Sequence, residues 1–149
     1  MSDSICSTDA PKPIGTYPHA RRVGNLLFLS GIGPRDAASN AIIGDVHDAD
    51  GYLISYDIDA QCRAVFANVR TVLKASGARW QDLVDVTVYL TNMTHDFKAY
   101  NAVWAEYFPD IDSAPCRTTV GITALPTPIA IELKCTAVLH DTQMENRSS

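Results

Sequence analysis

The sequence predicts an α+β domain, a single sheet with two amphipathic helices on one face. Three observations predict it. Residues 57–77 and 94–108 repeat apolar side chains at three- and four-residue steps, the period of a helix with one buried stripe. Shorter segments alternate apolar and polar residues, the period of a half-buried strand. The order along the chain is strand, strand, long helix, strand, helix, strand, strand, with no internal repeat or linker.

The elements follow in order. Ala10-Pro11-Lys12-Pro13-Ile14-Gly15-Thr16 is rich in Pro and Gly and reads as an extended arm. Residues 17–22 form a short strand, and Gly24-Asn25 suits a tight hairpin turn into a second strand, Leu26-Leu27-Phe28-Leu29-Ser30. That run is almost continuously apolar, so a strand covered on both faces is expected. It leaves through Gly31-Ile32-Gly33-Pro34, where glycine permits close approach of another group. Residues 35–50 are polar and read as a surface excursion, with a brief strand or turn at 51–54. The first helix buries Ile58, Cys62, Val65, Phe66, Val69, Val72 and Leu73. Ser55 or Asp57 caps its start and Gly77 its end. Residues 82–90 alternate as a strand with Val84, Val86, Val88 and Leu90 on one face. Thr94 or Asp96 opens the second helix, and Pro109 stops it.

The last two strands are expected at 116–122 and 129–139, joined as a hairpin by the Pro-flanked turn 123–128. Alternation in the second places Ile129, Ile131, Leu133, Cys135, Ala137 and Leu139 on the buried face and Glu132 on the other. Arg117 and Thr119 are expected to share the face of Glu132, within cross-strand reach. That pair reads either as a plain ion pair or as a carboxylate-binding Arg beside a proton-transferring Glu. Two amphipathic helices cover one sheet face only. The opposite face, with Asp85, Thr87 and Tyr89, is too apolar for solvent and is expected to meet another subunit.

The 149 residues suffice for one domain, 1–149, with 1–10 and 141–149 expected as flexible tails. A net charge of -5 and the lack of a basic block argue against nucleic acid as a partner. No apolar run reaches membrane-spanning length and the N-terminus lacks a signal-peptide pattern, so a cytoplasmic protein is expected. Cys6, Cys62, Cys116 and Cys135 form no C-x-x-C pair, and the four His show no metal-ligand spacing.

Several of these segments together resemble one family. Ile14-Gly15-Thr16-Tyr17, Gly24-Asn25 running into Ser30-Gly31, Asn68, Tyr100-Asn101, Tyr107-Phe108, Cys116-Arg117-Thr118-Thr119, Leu125-Pro126 and Ile131-Glu132 resemble the RidA/YjgF family of reactive enamine/imine deaminases. The resemblance spans about residues 10–139. It implies a chorismate-mutase-like fold, a homotrimer with sites in clefts between subunits, and no cofactor; the apolar second face is expected to be covered in a trimer or dimer of trimers, and the His spacing argues against a metal. It implies that Arg117 binds a substrate carboxylate and that Glu132 handles the water. Tyr17, Ser30, Gly31, Thr119 and Asn101 would line the pocket. Many members carry Cys where this chain has Thr119, which removes any thiol mechanism there. The Tyr17-Pro18-His19-Ala20-Arg21-Arg22 segment and the long 35–56 excursion are most similar to members that deaminate 2-aminomuconate in aromatic-compound or tryptophan-derived catabolism. That substrate has two carboxylates, and His19, Arg21 or Arg22 would meet the distal one. The alternatives are a broad 2-imino acid deaminase and a non-catalytic trimeric ligand-binding or chaperone-like protein.

Overall fold

The apolar stripe of the long helical segment becomes α1, Ile58–Ala75. Ile58, Cys62, Val65, Phe66, Val69, Val72 and Leu73 are all buried. Asp57 caps it, its Oδ1 accepting the Ala60 N–H at 3.1 Å. Gly77 ends it at φ 77°, a left-handed position that glycine takes without strain. The second helix, α2, spans Met93–Tyr107. Its cap is Asn92, whose Oδ1 accepts the His95 N–H, rather than Thr94 or Asp96. Asp96 instead lies fully buried inside the first turn, accepting a 2.6 Å bond from the Tyr56 hydroxyl. The computed structural model describes residues 2–140. No helix among them is long and apolar enough to cross a membrane.

Both helices lie on one face of a six-stranded sheet. The strands are β1 (Ser2–Ile5), β2 (Ala20–Val23), β3 (Leu26–Leu29), β6 (Leu83–Leu90), β7 (Cys116–Gly121) and β8 (Ile131–Val138). They are ordered β1-β2-β3-β8-β6-β7. The remaining strands, β4 (Asp45–His47) and β5 (Leu53–Tyr56), form a separate hairpin. The 35–56 excursion is therefore partly built. Gln61 ties it to α1 through a 2.9 Å bond to Asp45, and Tyr56 ties it to α2. Ser2–Ile5, expected within a flexible tail, pair with β2 along their whole length. The tail expected at 141–149 lies outside the described residues.

The expected hairpin between residues 116–122 and 129–139 does not form. β7 pairs in parallel with β6, and β6 separates it from β8. The reason is the crossover through α2, which returns the chain to the sheet in the direction of β6. The following loop passes over the end of β6, where Ile122 N–H donates to Leu90 O and Thr91 N–H to Ala130 O. This changes which residues share a face. Arg117 stands beside Val86 and Thr119 beside Val88, so both point into the helix layer. Glu132 stands beside Tyr89 on the open face. Arg117 and Glu132 thus occupy opposite faces of the sheet.

A bulge between Leu83 and Asp85 displaces Val84 from the core side, and Leu83 is buried in its place. β3 is covered on one face only. Leu27 and Leu29 are fully buried, whereas Leu26 and Phe28 are 39% and 40% exposed on the open face beside Val23. Cys62 and Cys135 are core residues, and burial pushes both thiols up to about 12.

Candidate active site

The chain presents two separate clusters of the expected site residues. The first is built by β7 and α2. Arg117 Nη1 donates to Asn101 Oδ1 at 2.9 Å. Its guanidinium carbon lies 5.2 Å from the Tyr100 ring centre and 5.0 Å from that of Trp104. Tyr100 and Trp104 are one helical turn apart on α2, which makes the pair a platform for the planar cation. The Tyr100 hydroxyl bonds Thr119 Oγ1 at 2.7 Å, fixing the next residue of β7 on the same face. Arg117 is thereby held rigid at the sheet edge, with donors left over for a carboxylate.

The second cluster surrounds Glu132. A cleft of about 50 Å³ is lined by Glu132, Tyr17, Gly31, Gly33, Arg35 and Thr127, among others. A Cβ on Gly31 would sit 2.9 Å from the Glu132 carboxyl carbon, so only glycine lets the carboxylate lie there. Burial pushes the Glu132 pKa up, and the charge of Arg35 opposes this. Arg35 is fixed in turn. Its Nη1 donates to Asn40 Oδ1 at 2.5 Å and its Nη2 to Lys12 O at 2.9 Å. Asn68, on α1, donates from one amide nitrogen to Gly33 O and Arg35 O at 2.9 and 2.8 Å. That clamp positions the loop from Gly31 to Arg35.

The remaining expected residues divide. Ser30 lines an adjoining pocket with Tyr17, His19 and Arg35, but its hydroxyl is spent on Pro18 O at 2.7 Å. His19 is buried, with Nδ1 accepting from Ser7 N–H and Nε2–H donating to Pro11 O at 2.7 Å. That pairing commits both ring nitrogens to backbone. Arg21 is on the open face of β2, bonded to Ser2 Oγ, and Arg22 is on the opposite face, bonded to Gly24 O. Register places Arg21 beside Phe28, whose own partner across β3 is Thr136, four residues along β8 from Glu132. Neither Arg meets the Glu132 cleft within the chain. Among the described residues, no three His, Cys, Asp or Glu side chains gather to hold a metal ion.

Arg35 and the Asn68 clamp are what sequence reasoning missed. Arg35 read as the first residue of a polar excursion. Its position directly after Gly31-Ile32-Gly33-Pro34, a segment marked for close approach, was the available signal.

The endoribonuclease L-PSP family model matches residues 7–139. The chain belongs to the endoribonuclease L-PSP family. A RutC family protein of Pyrococcus horikoshii is 38% identical over 92% of this chain and 98% of its own length. Reactive Intermediate Deaminase A of Arabidopsis thaliana is 35% identical over 93% of this chain and 67% of its own. A 2-iminobutanoate/2-iminopropanoate deaminase of Dermatophagoides farinae is 34% identical over 88% and 91%. Among solved structures, the YjgF gene product of E. coli superposes with a TM-score of 0.77 at 27% identity, over 93% of this chain and 99% of that one. RidA of Psychrobacter sp. gives 0.76 at 27%, over 92% and 99%. The resemblance to RidA/YjgF proteins therefore holds across nearly the whole chain, a span that includes both clusters.

Proposed function

We propose that this L-PSP family protein is a hydrolytic deaminase of enamine and imine carboxylates, with its site shared between two copies of the chain. The observation that carries the reading is the Glu132 cleft: a half-buried carboxylate of raised pKa, packed on Gly31 and open to a small ligand. Relatives named as deaminases of reactive intermediates and of short 2-imino acids support it.

In the imine tautomer the reacting carbon is electrophilic. A water oxygen bonds to it while Glu132 takes the water's proton, and the C=N electron pair moves to nitrogen. Glu132 then returns that proton to nitrogen. Glu132 next takes the hydroxyl proton of this carbinolamine and passes it to the amino nitrogen as the C–N bond breaks, so that the oxygen forms the ketone C=O and nitrogen leaves as ammonia. A raised carboxyl pKa makes the ionised group a stronger base than an ordinary carboxylate, which suits a group that must accept and then return a proton.

The substrate carboxylate needs a bidentate partner, and Arg117 on its aromatic platform is prepared for that role. Within one chain the two groups face opposite sides of the sheet and are separated by β6. A homotrimer or dimer of trimers resolves this by setting the Arg117 edge of one copy against the Glu132 cleft of the next. The exposed Val23, Leu26, Phe28 and Val84 on the open face favour such packing.

The test is ammonia release from 2-iminobutanoate generated in situ and from 2-aminomuconate, with Glu132→Gln as control. Release above background that falls roughly 10²–10⁴-fold in the variant is expected. A wild-type protein that releases none from either substrate would leave the ligand-binding reading in its place.

A further inference from the structure

The Glu132 cleft holds a second charged group that imine hydrolysis does not require. Arg35 lines it, acts on Glu132 through space, and is fixed at both ends. Its backbone is clamped by Asn68 and by a bridge to Ile42. Its guanidinium is tethered to Asn40 and to Lys12 O. Those tethers use two of the five N–H donors a guanidinium carries. Both are bonds to neutral acceptors, for which a positive charge is not needed.

We propose that Arg35 anchors a second carboxylate of the substrate, so that this site takes dicarboxylic enamines and imines, of which 2-aminomuconate is one. The inference rests on the deaminase reading, in which Arg117 takes the carboxylate beside the reacting carbon. A dianion entering a cleft that already contains the Glu132 carboxylate is repelled unless each of its charges meets a cation. The other cations near this end of the chain do not line the cleft, Lys12 among them, although its carbonyl holds Arg35. His19 has both ring nitrogens bonded to backbone, and Arg21 and Arg22 lie off the cleft. Lys134, next on the face of Glu132, turns its ammonium to Leu29 O. Arg35 is the cation that shares the cleft with Glu132, and its rigid fork matches a carboxylate.

Two unreactive probes test this: hexa-2,4-dienedioate, with two carboxylates, and hexa-2,4-dienoate, with one. Their affinities are measured by calorimetry for the wild-type protein, Arg35→Gln and Arg35→Lys. The wild type is expected to prefer the diacid by about tenfold or more, the scale of a charged hydrogen-bonded contact. Arg35→Gln abolishes that preference. Arg35→Lys keeps the charge but loses the fork, lowers the preference severalfold, and decides the matter if Arg35→Gln does not fold. In kinetics, the ratio of kcat/KM for 2-aminomuconate to that for 2-iminobutanoate falls through KM. Equal weakening of both probes, or an unchanged preference in either folded variant, overturns the inference. An Arg35-dependent preference for the diacid without ammonia release would support the anchor and sink the deaminase reading. Ammonia release with no dependence of the preference on Arg35 would do the reverse.

Discussion

Glu132 combines two properties that pull against each other. Its carboxyl is half-buried, so the ionised form that accepts a proton from water is also the form the protein disfavours. The folded-state pKa is raised above the ordinary value of 4.5, because burial outweighs the charge of Arg35. The folded state thus binds this proton more tightly than the unfolded chain does. The resulting stabilisation is full below pH 4.5 and is lost as pH rises through the folded pKa. At pH 7 the ionised carboxylate is a cost to stability. Glu132→Gln should therefore raise the melting temperature at pH 7, and that gain should shrink as pH falls toward 4.5. Melting curves over this range check it. A melting temperature lowered at pH 7 with turnover preserved would make Glu132 a structural partner instead. The face on which this residue lies was legible from its alternation with Ile131 and Leu133. Its electrostatic neighbour was not, because Arg35 reaches it through a loop fold that alternation does not encode.

At the scale of elements, periodicity identified both helices and most strands correctly. Val65, Phe66, Val69 and Tyr100 lie at helical spacing and are fully buried. Pairing was another matter. Residues 116–122 and 129–139 are adjacent strands in sequence with a turn-like connection, yet β6 lies between them. Alternation in β7 misled as well, because Arg117 and Thr119 face the helices while Val120 faces outward. That side of the edge strand is covered by Tyr100 and Trp104, which accept a cation and a hydroxyl as partners. The loop from Gly31 to Arg35 depends on a single side chain of α1. Asn68→Ala leaves the Gly33 and Arg35 carbonyls without their shared donor. We expect a loss of about 1–3 kcal/mol in stability, the scale for an orphaned polar group. Activity should fall beyond what that loss explains, since the loop shapes the Glu132 cleft. Denaturant titration and kcat/KM on one preparation check both, and an unaffected kcat/KM would remove the clamp from the site.

For the whole molecule, the proposed function requires that one chain supply only half of each site. Arg117 and Glu132 are each prepared by their own surroundings, their backbones roughly 14 Å apart, two strand spacings across and three residues along, and on opposite faces of the sheet. Light scattering should find a trimer or a multiple of it at micromolar concentration. The most direct measurement is complementation between Arg117→Ala and Glu132→Ala, each inactive alone. Subunits are mixed in equal amounts, unfolded and refolded together, and mixed trimers are verified by native mass spectrometry. In a trimer with one Arg-to-Glu contact per interface, about one site in four pairs an intact Arg117 with an intact Glu132. Recovery of about a quarter of wild-type ammonia release is expected. Mixed trimers that remain as inactive as either variant alone would contradict it.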